Sequence, residues 1–224
     1  MTTDNPMLLH LFRLISPTLP IGAFSYSRGL ESAVHHGWVT DEKQAEQWIF
    51  GALEHSFALL DGPLFLRMMA ALRNGDSAAF LAADDWLQSS RESHELQMED
   101  RLMGDALRRL LSDLDVNAVQ KYADRTISFP AGFALAAHHW AIEPRQALRG
   151  LIWMVVEGQV SAAIRLVPLG QAAGQRIMIR AVDLIEACAR VATNLSDDEI
   201  GNTAIGVAMA SAWHENQYSR LFRS

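Results

Sequence analysis

Residues 45–60 read AEQWIFGALEHSFALL. Ala45, Trp48, Ile49, Ala52, Leu53, Phe57 and Leu60 recur at helical intervals, the spacing that lines one face of an α-helix. The same period continues at Leu96, Met103, Leu107, Leu110 and Leu114. There Glu92, Glu99, Asp100, Asp105 and Arg108 are expected to face solvent. From Arg176 to Arg190 the charges at 176, 180, 183 and 190 form a polar stripe on an otherwise apolar helix. LIWMVV at 151–156 is apolar all round, which predicts a helix central to a bundle. Alternating patterns bounded by turn pairs, the mark of strands, do not occur. The pattern predicts an all-α, single-domain bundle of roughly nine or ten helices over 1–224, with an interacting C-terminal segment at 211–224.

Start and stop signals agree with this division. Asn5 before Pro6 is a capping residue before a first-turn proline, and Thr40 precedes an acidic first turn. Gly37 and Gly75 fall where helices should end. SDDE at 196–199 has the capping-box form. Two stretches depart from plain helix: SPTLPIGAFSYSRGLE at 16–31 and RLVPLGQAAGQR at 165–176. In the first, Pro20 and Gly22 call for an irregular turn, and Ser25 or Ser27 is placed to cap the next helix. In the second, Pro168 and Gly170 break a helical run, and Gly170 and Gly174 let two helices approach closely.

Half of the 224 residues are hydrophobic, a fifth are charged and the formal net charge is -7. An acidic balance of this kind argues against a nucleic-acid partner. The first 60 residues are acidic as well, with Arg13, Arg28 and Lys43 as their only Lys or Arg, which disfavours an N-terminal DNA-binding module. Arginine far outnumbers lysine, Lys43 and Lys121 being the only lysines. Cys188 is the only cysteine, so neither an internal disulfide nor an all-cysteine metal site is available. No secretory leader pattern opens the sequence, and Glu157 and Arg165 interrupt the most apolar stretch short of a membrane span. A cytoplasmic protein without a membrane partner is expected.

Enzyme signatures are missing. No phosphate loop of the G-x-x-x-x-G-K-[ST] type, no H-E-x-x-H and no G-x-S-x-G occurs. His35–His36 and His138–His139 are neighbouring pairs whose side chains point about 100° apart on a helix, so neither pair chelates a metal alone. No catalytic residue, metal site or cofactor is assigned, and His138, His139 and Trp140 receive no role.

The segment S-x-x-L-P-x-G-x-F-x-x-S-x-G-L-E within 16–31 resembles the signature of the urease accessory protein F family. RLVPLGQAAGQR and the terminal HENQYSRLFRS are similar to two further blocks of that family, in the same order. RESHELQMEDRLMG at 91–104 agrees in pattern with less diagnostic residues. The resemblance implies an all-helical, non-enzymatic cytosolic protein that tends to dimerise. It implies a co-chaperone that binds the accessory protein D/H and recruits the GTPase accessory protein G to deliver nickel to apo-urease. The alternatives are an all-helical dimeric ligand-binding regulator and a histidine-based nickel-binding protein.

The residues taken as partner-facing are Tyr26, Ser27 and Glu31 in the first block and Arg165, Gln171 and Gln175 in the second. In the tail they are His214, Gln217, Tyr218, Arg220, Leu221, Phe222 and Arg223. Pro20, Gly22, Phe24, Gly29, Pro168, Gly170 and Gly174 are taken as shaping the backbone. For each block an internal packing role stands beside the partner role, with Phe24 and Tyr26 turned inward in the first. If 211–222 is helical, His214, Tyr218, Leu221 and Phe222 share one sector, opposite Asn216, Arg220 and Arg223. Such an aromatic stripe is either core or an interface anchor. A tail ordered chiefly in the presence of its partner is expected.

Overall fold

The computed structural model describes residues 6–224, and among these the chain is built from ten α-helices with no strand. They are α1 (Pro6–Leu14), α2 (Leu30–His35), α3 (Glu42–Ala52), α4 (Gly62–Arg73) and α5 (Ser77–Ser89). There follow α6 (His94–Asp113), α7 (Phe129–His139), α8 (Pro144–Leu166), α9 (Gln171–Asn194) and α10 (Ile205–His214). The capping assignment at Asn5 lies outside the described residues, although Pro6 does open α1. Thr40 is not the cap of α3. That role belongs to Asp41, whose carboxylate accepts the N–H of Gln44 at 2.8 Å, while the Thr40 hydroxyl donates to the Gln44 side chain. The box at Ser196–Glu199 is present, on a single turn ahead of α10.

As expected of a stretch apolar all round, α8 lies at the centre and touches α1, α2, α3, α4, α7 and α9. Leu148, Leu151, Ile152, Val156 and Val160 lie within one contiguous core. Taken whole, α8 does reach the length and hydropathy of a membrane span, as does the continuous rod 42–73, contrary to the reading of 151–167. More than half of each apolar window is instead buried within the bundle. Gly174 sits where α9 crosses α8; a Cβ there would come within 2.6 Å of Ile164. Gly170 has open space around it and an ordinary extended backbone, so close approach rests on Gly174 alone.

Between α3 and α4 the helix widens into π turns over Leu53–Asp61. Pro63, in the first turn of α4, lacks an N–H and its ring excludes the ordinary bond to the carbonyl of Leu59. That carbonyl accepts the N–H of Gly201 at 3.1 Å, and the His55 carbonyl accepts the N–H of Thr203 at 2.9 Å. A local defect in one helix thereby holds the connection leading into α10. Simple 3.6-residue periodicity did not reveal it, because the apolar pattern runs through the widened turns without a break.

Asp84, fully buried on α5, ties this helix to the start of α7 by accepting the N–H of Ser128 at 3.2 Å and a proton from Gln88 Nε2 at 2.9 Å. Burial pushes its carboxyl up to about 6. The folded value lies above the unfolded one of about 3.9, so the contribution to stability is greatest at low pH and is lost as pH rises through about 6. Asp84→Asn, which keeps an acceptor without the charge, should gain on the order of 2 kcal/mol over the parent at neutral pH and little below about pH 4. Urea titrations at the two pH values check this; a gain of the same size at both would contradict it.

Candidate functional site

The three motif blocks converge at one end of the bundle, where α10 lies across α2 and α6. Gly29, the residue before α2, makes this crossing possible. Its φ is 81°, a left-handed conformation that side chains oppose, and a Cβ there would sit 2.9 Å from the backbone nitrogen of Ser211. Gly22 (φ 75°) similarly provides the turn expected beside Pro20. Ser27, not Ser25, serves the start of α2, accepting the N–H of Glu31 at 3.3 Å.

Helix α10 ends at His214, so the segment 211–222 is not one helix and its aromatic residues do not share a stripe. From Glu215 onward the chain turns back over the body as an irregular strap. His214 is fully buried between two carboxylates, with Nδ1 2.7 Å from Glu95 Oε2 and Nε2 3.1 Å from Glu31 Oε2. Glu31 also accepts the backbone N–H of Leu221 at 2.6 Å and of Phe222 at 2.8 Å. Glu95 accepts from Arg220 at 2.8 Å on its other oxygen. Further along, the N–H of Arg223 donates to the carbonyl of Ser25 at 2.8 Å. The carbonyl of Ser224 accepts from both the N–H and the hydroxyl of Ser27, and the Ser224 hydroxyl donates to Glu99 at 3.0 Å. The Arg165 guanidinium covers the ring of buried Phe222 at 4.5 Å.

Below the strap lies a second charged layer. Arg91, itself buried, donates to Asp100 at 2.6 Å and to Asp61 at 2.5 Å, and Arg28 pairs with Glu99 at 3.4 Å. Burial works against the Arg91 charge, but the flanking Asp100 and Asp61 outweigh it and hold its pKa above the ordinary guanidinium value. Burial raises the carboxyls of Glu99 and Glu95, against the pull of Arg28 on the former and of His214 and Arg220 on the latter. Glu99 and Asp100 therefore do not face solvent as α6 amphipathicity led us to expect. Each has a cationic partner that offsets desolvation. The missed signal is positional: Asp100 falls on the same helical face as Leu96, Met103 and Leu107.

The expected partner-facing residues now divide. Tyr26, Ser27, Glu31, His214 and Phe222 are buried and serve the chain's own strap. Phe24, thought to pack inward beside Tyr26, is instead 75% exposed. Gln171 and Gln175 are exposed on α9 and take no part in the cluster. Tyr218 projects fully into solvent, and Leu221, Arg220 and Arg223 are exposed beside it. The strap lies folded on the body of the domain, held through Glu31, Glu95, Ser25 and Ser27. Trp140 closes α1 onto α7, stacked on His10 and covered by Arg13 at 4.1 Å. His139 meets the Trp140 ring edge to face. Among the described residues no three His, Cys, Asp or Glu side chains are grouped to hold a metal ion.

The architecture is that of an all-helical domain whose last segment is a folded surface feature. Residues 39–182 match the family model UreF. The chain is 59% identical over 218 residues to urease accessory protein UreF 2 of Brucella anthropi, covering 97% of this chain and 96% of that one. It is 46% identical to urease accessory protein UreF of Alkalilimnicola ehrlichii over 100% and 99% of the two chains. It is 42% identical to that of Teredinibacter turnerae over 98% and 100%. The chain belongs to the UreF family of urease accessory proteins.

Glu31→Ala would strip the partners from two backbone N–H groups and one face of a buried imidazole at once. We expect a loss of about 2–4 kcal/mol in urea unfolding, partly recovered in Glu31→Gln. A change within about 0.5 kcal/mol would show that the strap contributes nothing to stability.

Proposed function

We propose that this chain is a urease-maturation co-chaperone. It binds the accessory protein D/H and, with it, recruits the GTPase accessory protein G, so that nickel is inserted into apo-urease. It works by binding, without catalysis or a cofactor of its own, as a homodimer in the cytoplasm. Membership of the urease accessory family supports the role in urease maturation. The missing phosphate loop suits a component that acts on a GTPase without being one.

The observation that carries the docking role is the outer face of α10. Ile205, Met209 and Trp213, one helical turn apart, are 71%, 41% and 39% exposed. Trp213 continues the face onto Trp38, with ring centroids 5.1 Å apart, and Tyr218 stands free beyond it. Aromatic and apolar residues in an exposed contiguous run are the composition of an interface anchor. Arg220 is held by Glu95, which makes it part of the strap's attachment and disfavours a role as an arginine finger.

Replacing Ile205 and Met209 with Asp, or Trp213 with Ala, should reduce capture of the D/H partner at least tenfold while helical circular dichroism is unchanged. Removing residues 215–224 should do the same. Undiminished capture by the α10 variants would sink the docking role of this face.

A further inference from the structure

We propose that the C-terminal strap is a proton-dependent latch, shut while His214 carries protons on both ring nitrogens and released when one is lost. This concerns regulation of the surface to which docking is assigned above, and rests on that reading only for its biological consequence.

The argument is one of hydrogen count. Each nitrogen of the His214 ring faces a carboxylate oxygen, at 2.7 Å for Glu95 and 3.1 Å for Glu31. A neutral imidazole has one N–H and one lone pair, whereas an ionised carboxylate only accepts. Both contacts are therefore hydrogen bonds only if a second proton is present. Glu31 already accepts the N–H groups of Leu221 and Phe222, one on each oxygen, which marks it as ionised. Burial raises the Glu95 carboxyl, and against this Arg220 donates to its other oxygen while the His214 ring faces the first, two contacts that an ionised carboxylate accepts. The second proton accordingly belongs on the ring, giving an imidazolium between two carboxylates.

The charged groups around the ring come from every element packed there. Helix α2 supplies Glu31, α6 supplies Glu95 and the strap supplies Arg220. Glu215, the next residue after His214, is engaged by the N–H of His94. The Arg28–Glu99 pair lies under Ser224. His35 and His36 line the groove outside Glu31. Loss of one ring proton leaves a lone pair pointing at a carboxylate, with the ring fully buried.

Glu31 joins the two events. The same carboxylate holds the imidazole and the backbone of Leu221 and Phe222, so its displacement removes two of the strap's backbone anchors and loosens the segment between Arg220 and Arg223. Opening releases one proton to solvent, and no other reactant is consumed. The open population should then rise with pH by up to about tenfold per unit once the closed ring begins to lose its proton.

The test uses the full chain with a spin label at Ser219→Cys; the native Cys188 is buried and stays unlabelled. Label mobility and the ring nitrogens of His214, in 15N-histidine protein, are followed between about pH 6 and pH 9. His214→Gln assigns the ring signal. We expect a doubly protonated ring at the acid end, and loss of its proton and gain of label mobility at a shared midpoint, with helical content constant. A ring neutral at the acid end, a strap equally immobile throughout, or separate midpoints would overturn the latch. Capture of the D/H partner is measured in parallel. A pH-dependent strap with unchanged capture supports the latch and removes the docking reading instead.

Discussion

A single carboxylate, that of Glu31, constrains the end of the molecule that matters most. It sits on a helix of only six residues and reaches an imidazole and two backbone N–H groups of the strap. Burying a carboxylate is unfavourable unless its acceptors are filled, and here the strap fills them. The dependence is mutual. Without Glu31 the strap loses its contacts at Leu221 and Phe222, and without the strap Glu31 keeps only the His214 ring and the Ser27-capped helix around it.

Other parts of the fold can be read as conditions for this contact. Gly29 removes the Cβ that would keep α10 off α2, and the widened turns at 53–61 hold the loop that delivers α10. The Asp61–Arg91–Asp100 cluster links the end of those turns to α6, which carries Glu95 and Glu99. Buried ion pairs of this kind contribute little net stability relative to apolar packing, but breaking one leaves a costly unpaired charge. They therefore favour one arrangement of the helices over its alternatives. The outer surface follows the opposite rule. Ile205, Met209, Trp213 and Tyr218 stay exposed there, with only Trp213 resting on neighbouring rings.

The helices themselves were legible without coordinates. Periodicity placed the long segments, Gly37 and Gly75 did end helices with φ of 73° and 69°, and the central position of α8 followed from its unbroken apolar surface. The site was less so. Tyr26, Ser27, Glu31 and His214 were taken as partner-facing, with an internal role left open beside it, and the structure buries all four. Polar residues read as exposed by default, and only the presence of facing partners overturns that default. Glu95 and Arg91 went unassigned and Glu99 was placed in solvent because decisive partners lie far off in the chain, Asp61 for Arg91 and the tail for Glu95 and Glu99.

The amino-acid sequence by itself determined the all-helical class, the boundaries of most helices, the family and the three blocks that meet at the site. These depend on local backbone preference, on hydrophobic spacing and on motifs that occur within short windows. Only the tertiary structure decided that the first and last blocks form one hydrogen-bonded cluster, with Arg165 of the second covering Phe222, that the tail leaves its helix at His214 and that buried charge lies beneath it. Those outcomes depend on pairing between residues distant in the chain. Such pairing is what makes burial of a carboxylate or an imidazole tolerable, and no local pattern records it.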